Sequence, residues 1–230
     1  MKEQTIYTAV GRFCRKRDTN GYTYPVVIVK GKEHILDPQE MTVWAILCWR
    51  MLTFGQIEEK YDRLMAQQSA PRRSLEFCIE RLQTSGLIAS GFGNAGVDAV
   101  YDLLSELYIV PISENLSLRW ITFVKLVLFR NVPVERASVL LHRHERTDTE
   151  KRVISLSKQA LLSTAEIIRC FETETMDVSN DEKLIDALYA EPDISSDNMA
   201  DMMRGTAHRL PVTSAIANLY LRRQIILERV

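Results

Sequence analysis

Three stretches of the chain have residue types and spacings that occur in enzyme sites. Residues 91–96 read G-x-G-x-x-G, follow an apolar run and precede a predicted helix, as in dinucleotide-binding folds. That fold also needs several strand–helix–strand units, and the sequence offers one candidate strand before this segment and no such unit after it. We therefore interpret these glycines as a glycine-rich wing and expect no nucleotide cofactor.

The other two stretches match parts of the serine β-lactam enzymes. Ser155 and Lys158 form S-x-x-K, and residues 196–198 read S-D-N. The third element of such a site, K-T-G, is absent, and Ser155 falls within a predicted amphipathic helix with no sheet to hold it. Because no nucleophile, base and orienting acid occur together, we predict that the protein is not an enzyme.

The histidines and cysteines form no metal-binding pattern. His142 and His144 are two residues apart and point to different sides of a helix, whereas a helical metal site needs a spacing of four. The cysteines are far apart in the sequence, at Cys14, Cys48, Cys78 and Cys170. This separation favours reduced thiols in a cytoplasmic protein, with neither a metal ion nor a disulfide frame.

The composition indicates a soluble globular protein whose charge is unevenly spread. Of the 230 residues, 46% are apolar and 26% are charged, and no apolar run approaches the roughly 20 residues that cross a membrane. Between Glu172 and Asp201 ten acidic residues accompany the single Lys183, so this segment carries −9 and the other residues +8. The basic majority could present a face to phosphate. The acidic segment alternatively represents the solvated faces of two helices.

The elements that would position a binding site begin with strands. Residues 5–17 and 22–29 are rich in Tyr, Val, Ile and Thr, and the turn between them contains Asn20-Gly21, which supplies positive φ angles. A second turn at residues 30–32 returns the chain into residues 34–36. This pattern predicts a three-stranded meander.

Three helices are predicted after the meander. Asp37-Pro38-Gln39-Glu40 has the cap, the N1 proline and the N3 glutamate of a helix start. Residues 53–56 repeat the capping pattern and open a second helix, and a third helix begins at Arg72. Ser85-Gly86 predicts its end, because glycine readily adopts the left-handed conformation of a helix C-terminus.

The remainder of the chain is predicted to be helical, apart from a connector or short strand at residues 108–112. The predicted helices span 97–107, 116–130, 134–144, 150–174, 183–189, 196–203 and 212–226. The fold class is therefore mainly α with a small β component (α+β). We expect two domains, 1–110 with the meander and three helices, and 111–230 as an all-α region.

Three helices joined by short polar turns and followed by Gly86-Leu87-Ile88 and a glycine-rich segment resemble a winged-helix module. In the DNA-binding members of that group the third helix enters the major groove. The resemblance implies DNA contacts on this helix from Ser69, Arg72, Arg73, Ser74, Phe77 and Arg81. Glu76 and Glu80 would face the same groove and weaken this interpretation.

A meander placed before the helices is also similar to the precursor-peptide recognition domains related to the peptide chaperone of pyrroloquinoline quinone synthesis. The similarity covers residues 5–92 and rests on pattern. It implies that an extended peptide adds a strand to the edge of the meander, for which we expect residues 22–29, and packs on the third helix.

Residues 211–223 could form the recognition helix of a second helix-turn-helix at 181–230. Its contacts would be Thr213, Ser214, Asn218, Arg222 and Arg223. The alternative is a helical bundle that completes the core or forms a dimer, because basic residues at the end of a helix are also what its dipole favours.

The sequence therefore supports two functions of different classes. The first is a DNA-binding transcriptional regulator of winged-helix type, in which the apolar segment with Trp120, Phe123, Val127 and Leu128 forms either part of the core or the interface of a homodimer. The second is a module that binds a peptide or protein by strand addition. Neither requires a membrane or a cofactor.

Overall fold

The computed structural model describes residues 4–19, 21–66, 73–94, 96–112 and 145–229. Within these ranges the protein is a mixed α+β structure with three small antiparallel sheets. The described part of the chain contains no helix with the length and apolar character of a membrane span. The helices predicted at 116–130 and 134–144, with Trp120 and Phe123, lie outside the described residues.

The strands and helices are numbered in chain order. The strands are β1 (Gln4–Ala9), β2 (Arg12–Arg17), β3 (Thr23–Val29), β4 (Lys32–His34), β5 (Leu52–Thr53), β6 (Ile88–Gly93), β7 (Tyr108–Pro111) and β8 (Ile225–Glu228). The helices are α1 (Pro38–Leu47), α2 (Phe54–Met65), α3 (Leu75–Thr84), α4 (Gly96–Leu104), α5 (Asp148–Gln159), α6 (Thr164–Glu172), α7 (Asp181–Tyr189), α8 (Met199–Met203) and α9 (Arg209–Leu221).

The strand predicted over residues 5–17 is two strands in different sheets. β1 lies between β5 and β6, whereas β2 pairs with β3 in the sheet β2-β3-β4. The break falls at Gly11, which has a φ of +87°. A Cβ at Gly11 would lie 2.3 Å from Val29 Cγ2 and 2.5 Å from the Ile28 carbonyl oxygen, so only glycine fits this close approach.

The capping signals correctly located the first helices. Asp37 accepts hydrogen bonds from the backbone of Gln39 and Glu40, and the Glu40 carboxylate accepts from the Asp37 N–H, which completes a capping box. Thr53 and Gln56 form the same box at α2. α3 begins at Leu75 rather than at Arg72, because Ser74 is its N-cap.

The long helix predicted over 150–174 is wrong, because the chain forms α5 and α6 in this region. α5 ends at Gln159, and Ser163 caps α6 in a capping box with Glu166. This second box is visible in the sequence as S-x-x-E, but the apolar periodicity on both sides of it concealed the break.

The expectation of an all-α region at 111–230 is also wrong, because this region contributes β8. β8 pairs with β7 in antiparallel register, and Tyr108 of β7 forms an isolated bridge with Ser163. The run Ile225-Ile226-Leu227 after the end of α9 carries the β-branched residues that favour a strand.

Among the described elements one arrangement occurs twice, in a first unit from β1 to β6 and a second unit from β7 to β8, although β2–β4 belong only to the first and α7 and α8 only to the second. In the first unit β1 pairs with the residue that caps α2 (Ile6 with Thr53), and in the second β7 pairs with the residue that caps α6 (Tyr108 with Ser163). Each of these strands also pairs with the strand after a later helix, β6 after α3 and β8 after α9.

Over the pairs α1–α2 and α5–α6, with the segment that joins the two helices, the repeat has an offset of 110 residues in the sequence. Positions 110 residues apart share the same residue type at four sites in the two helix pairs: Glu40 and Glu150, Val43 and Val153, Leu52 and Leu162, and Ile57 and Ile167. The three apolar pairs lie in or beside the core, and both glutamates are buried. The two units therefore use equivalent positions for equivalent packing.

The two units share one core. The buried apolar side chains form a single cluster that extends from Ile6 to Leu227. At the junction the Gly11 N–H donates to the Leu227 carbonyl at 2.8 Å. The Tyr220 hydroxyl donates to the Ala9 carbonyl at 3.1 Å and accepts from the Trp49 N–H at 2.9 Å. The last described helix is thereby fixed to the first strand.

Candidate binding surfaces

The arginines expected to contact DNA from α3 are engaged within the protein. Arg73 pairs with the Asp37 carboxylate, and Arg81 Nε lies 3.0 Å from Glu40 Oε1. The guanidinium carbon of each is 5.8 Å from the centroid of the Phe77 ring. Ser69 and Arg72 lie outside the described residues, and Ser74 is occupied as the N-cap of α3.

These contacts reduce the capacity of α3 to bind phosphate. The Glu40 side chain is 4% exposed, so moving Arg81 away would leave a buried carboxylate without its cation. Glu76 and Glu80 are exposed on the same helix. α3 therefore offers an exposed Phe77 between two neutralised arginines instead of a row of free cations.

Asp37 holds together the start of α1 and the segment before α3. Burial opposes ionisation of this carboxyl, but the backbone N–H groups of Glu40 and Gln39 and the guanidinium of Arg73 keep its pKa below the ordinary value. The charge of Asp37 is thus used for folding and for fixing Arg73.

The residues expected to contact DNA from α9 are divided between the core and the surface. Ser214 and Asn218 are exposed, whereas Thr213 is 1% exposed and belongs to the interior. Arg222 lies 3.2 Å from the buried Glu150 carboxylate, and Arg223 lies over the Trp49 ring. The structure does not bring these five side chains onto one surface.

A basic strand was not among the candidate sites, although its composition is plain in the sequence. β2 carries Arg12, Arg15, Lys16 and Arg17 within six residues, and the three arginines are exposed. Lys16 pairs with Glu33, and Arg17 Nε donates to the Gly21 carbonyl at 3.1 Å. Arg12 and Arg15 form no ion pair with any described residue.

A groove of about 300 Å³ lies between β4 and α3. One side is formed by residues 33–36 and the other by Arg81, Leu82 and Ser85. Ile35, on the β4 side, is 73% exposed, which is unusual for a large aliphatic side chain. Phe77 extends the apolar surface on the α3 side beyond Arg81 and is 45% exposed.

The free edges of the sheet belong to β2 and β4, not to residues 22–29 as expected. β3 is the central strand of the sheet β2-β3-β4 and is hydrogen-bonded on both sides. β4 pairs with β3 alone, and no described strand covers its other edge. A strand added beside α3 must therefore pair with β4.

The glycine-rich segment that resembles a dinucleotide-binding motif has a structural explanation. A Cβ at Gly91 would lie 2.2 Å from Leu103 N, and one at Gly93 would lie 2.4 Å from Ala99 N, so these glycines allow β6 to pack against α4.

Burial raises the pKa of Cys170 to about 11, which keeps this thiol protonated at neutral pH. Within the described ranges no cluster of His, Cys, Asp and Glu could hold a metal ion.

Comparison of the chain with protein-family models, with curated proteins and with solved structures finds no match.

Proposed function

We propose that the protein binds an extended peptide segment, which adds as a strand to β4 and packs against α3. The observation that carries this proposal is the juxtaposition of the free edge of β4, the groove beside it and the exposed apolar side chains of Ile35 and Phe77. In strand addition the backbone hydrogen bonds provide affinity, and pockets for alternate side chains provide specificity.

The exposed Ile35 at one side of the groove favours a segment with an apolar residue at alternate positions. Every second side chain of an added strand points towards the same face, so one row would contact Ile35, Leu36 and the stem of Arg81. The charges beside the groove are already paired, Glu33 with Lys16 and Glu40 with Arg81. Apolar contact and backbone hydrogen bonding therefore provide more of the recognition than charge.

A display-selected peptide tests this proposal. The full chain is used to select binders from a random library of extended peptides, and one selected peptide is labelled for fluorescence anisotropy. We expect Ile35→Asp to weaken binding by at least about tenfold, because it replaces the exposed apolar side chain beside the groove by a charge. Ile185→Asp is the matched control, since Ile185 is also exposed (56%) but lies on α7.

Hydrogen exchange then locates the bound peptide. The amides of residues 32–36 should become protected on binding. A selected peptide that binds Ile35→Asp at full strength, or that leaves these amides unprotected, would contradict strand addition at β4. Failure of the library to yield any binder would also count against the proposal.

The fold and the basic strand support duplex DNA as a second candidate ligand. We infer that the first unit is a winged helix in which β1, from before the first helix, is the partner of β6 after the third helix. Towards their turn β2 and β3 form a two-stranded ribbon, because β4 pairs only with Val27–Val29 of β3, and a major groove admits a two-stranded ribbon. Its cations, rather than those of α3, would contact phosphate.

Salt dependence tests this second function. Affinity for a random-sequence duplex is measured against salt concentration for the parent chain and for the double variant Arg15→Gln with Arg17→Gln. The slope of log K against log salt is negative, and each lost phosphate contact should make it shallower by about 0.9. Lys158→Gln, at an exposed position of α5, should change neither affinity nor slope. An unchanged slope in the double variant would exclude β2 as the DNA-binding element.

A further inference from the structure

A second cavity, of about 550 Å³, lies at the junction of the two units. Its walls are formed by the start of β2, by α1 and the turn that follows it, and by the end of α9 together with β8. This volume is within the range of sites that bind small organic ligands. The cavity is separate from the groove between β4 and α3, which shares none of its lining residues.

Aromatic side chains form much of the wall. Trp44 is 3% exposed, and its indole Nε1–H donates to the Val10 carbonyl at 3.2 Å, which fixes the plane of the ring. Trp49 lies in the turn after α1, and Phe13, which is 46% exposed, lies at the start of β2. Such rigid ring faces favour a planar apolar ligand.

Three arginines line the same cavity. Arg12, Arg50 and Arg223 have no ion-pair partner among the described residues, and no aspartate or glutamate is among the residues that line the cavity. Burial raises the pKa of the Cys48 thiol to about 11, and the positive charges of Arg223 and Arg50 oppose this rise. Cations gathered without a carboxylate create a positive potential that favours an anion.

Two residues that line the cavity, Trp49 and Arg223, have an unfavourable backbone conformation. Trp49 has a φ of +53° and Arg223 a φ of +59°, a region in which glycine is preferred. The first unit has Gly86, with a φ of +70°, at the position equivalent to Arg223, directly after the equivalent helix. The Arg223 guanidinium carbon is 5.4 Å from the centroid of the Trp49 ring. Both positions therefore carry a non-glycine residue in spite of this conformation, and the two side chains stack at the cavity.

We propose that this cavity binds a planar aromatic anion, with its ring against Trp49 and Trp44 and its negative group on Arg223, Arg50 and Arg12. A flat ring system satisfies the aromatic walls, and a carboxylate or similar group neutralises the three cations. Because the walls come from both units, the occupied cavity connects them. This site is independent of the function of the groove.

Binding of 2-naphthoate to the full chain tests the proposal. Isothermal titration calorimetry should detect the binding of 2-naphthoate, and its neutral counterpart 2-naphthamide should bind at least about tenfold more weakly. Arg223→Gly should weaken the binding of 2-naphthoate by at least about tenfold. It should leave the Tm unchanged or raise it, because glycine adopts the left-handed conformation without strain. Arg15→Gln, an exposed cation outside the cavity, should leave 2-naphthoate binding unchanged.

Four results would overturn the proposal. The first is the absence of 2-naphthoate binding at about 1 mM. The second is equal binding of 2-naphthoate and 2-naphthamide, which would show an apolar pocket without anion recognition. The third is full-strength binding to Arg223→Gly. Inorganic phosphate alone should bind much more weakly than 2-naphthoate, and equal binding, the fourth result, would show that the rings contribute nothing.

Discussion

Asp37 illustrates how single residues at the binding surfaces serve the fold as well. Its carboxylate caps α1 and pairs with Arg73, which places the charge at a helix N-terminus, where the helix dipole favours it. The sequence predicted the cap from D-P-x-E, but it could not show that Arg73 turns back towards Asp37. That contact joins residues 36 positions apart and depends on how α1 and α3 pack.

Replacing Asp37 by Asn should cost about 1 kcal/mol of unfolding free energy at pH 7. Asn keeps the cap hydrogen bonds but loses the charge. Since the pKa of Asp37 is lowered in the folded state, its ionic contribution is complete above the unfolded pKa of about 3.9 and is lost as the pH falls through the folded value. The difference between the parent and Asp37→Asn in urea unfolding should therefore shrink below about pH 4. A difference that stays constant down to about pH 2.5 would show that the charge contributes nothing.

At the scale of elements, the sequence indicated the helices more reliably than the strands and their partners. Capping boxes at Asp37 and Thr53 are local signals, and both were confirmed. The pairing of β1 with β6 joins residues about 80 positions apart, and no local pattern encodes such a partner. The free edge was assigned to residues 22–29 for the same reason, since strand order within a sheet depends on tertiary packing.

The division between β1 and β2 depends on one glycine, which gives a matched pair of variants. Gly11→Ala should destabilise the protein by about 2–4 kcal/mol, because the new Cβ meets Val29 and the Ile28 carbonyl and because φ is positive. Gly21 has the same φ of +87° but open space around its Cβ position, so Gly21→Ala should cost about 1 kcal/mol. Urea unfolding measures both. Equal losses would show that the contact at Gly11 relaxes without cost.

At the scale of the whole molecule, the two units are expected to unfold together. The buried cluster is continuous, and Tyr220 of α9 bonds to the Ala9 carbonyl and the Trp49 N–H of the first unit. The domain boundary predicted between residues 110 and 111 remains a prediction. β7, which spans this boundary, belongs to the second unit by its pairing with β8.

Tyr220→Phe tests this connection between the units. It removes one hydroxyl and leaves a buried carbonyl and an N–H without their partner, which should cost about 2–3 kcal/mol. The parent chain should unfold in urea in a single transition that coincides by tryptophan fluorescence and by circular dichroism. Tyr189→Phe, which removes a hydroxyl that donates to Glu166 Oε1 at 3.1 Å within the second unit, is the comparison. Two separate transitions in the parent would show that the shared core does not couple the units.

The bonds between Gly11 and Leu227 and between Ala9 and Tyr220 also have a consequence for synthesis on the ribosome. Translation proceeds at about 5–20 residues per second, so about 10–45 s separate the appearance of β1 from that of β8. Throughout this interval the nascent first unit lacks the partners that complete it and exposes the apolar surface that α9 later covers. The stretch from β1 to α4 therefore stays accessible to chaperones and proteases until α9 and β8 have been synthesised.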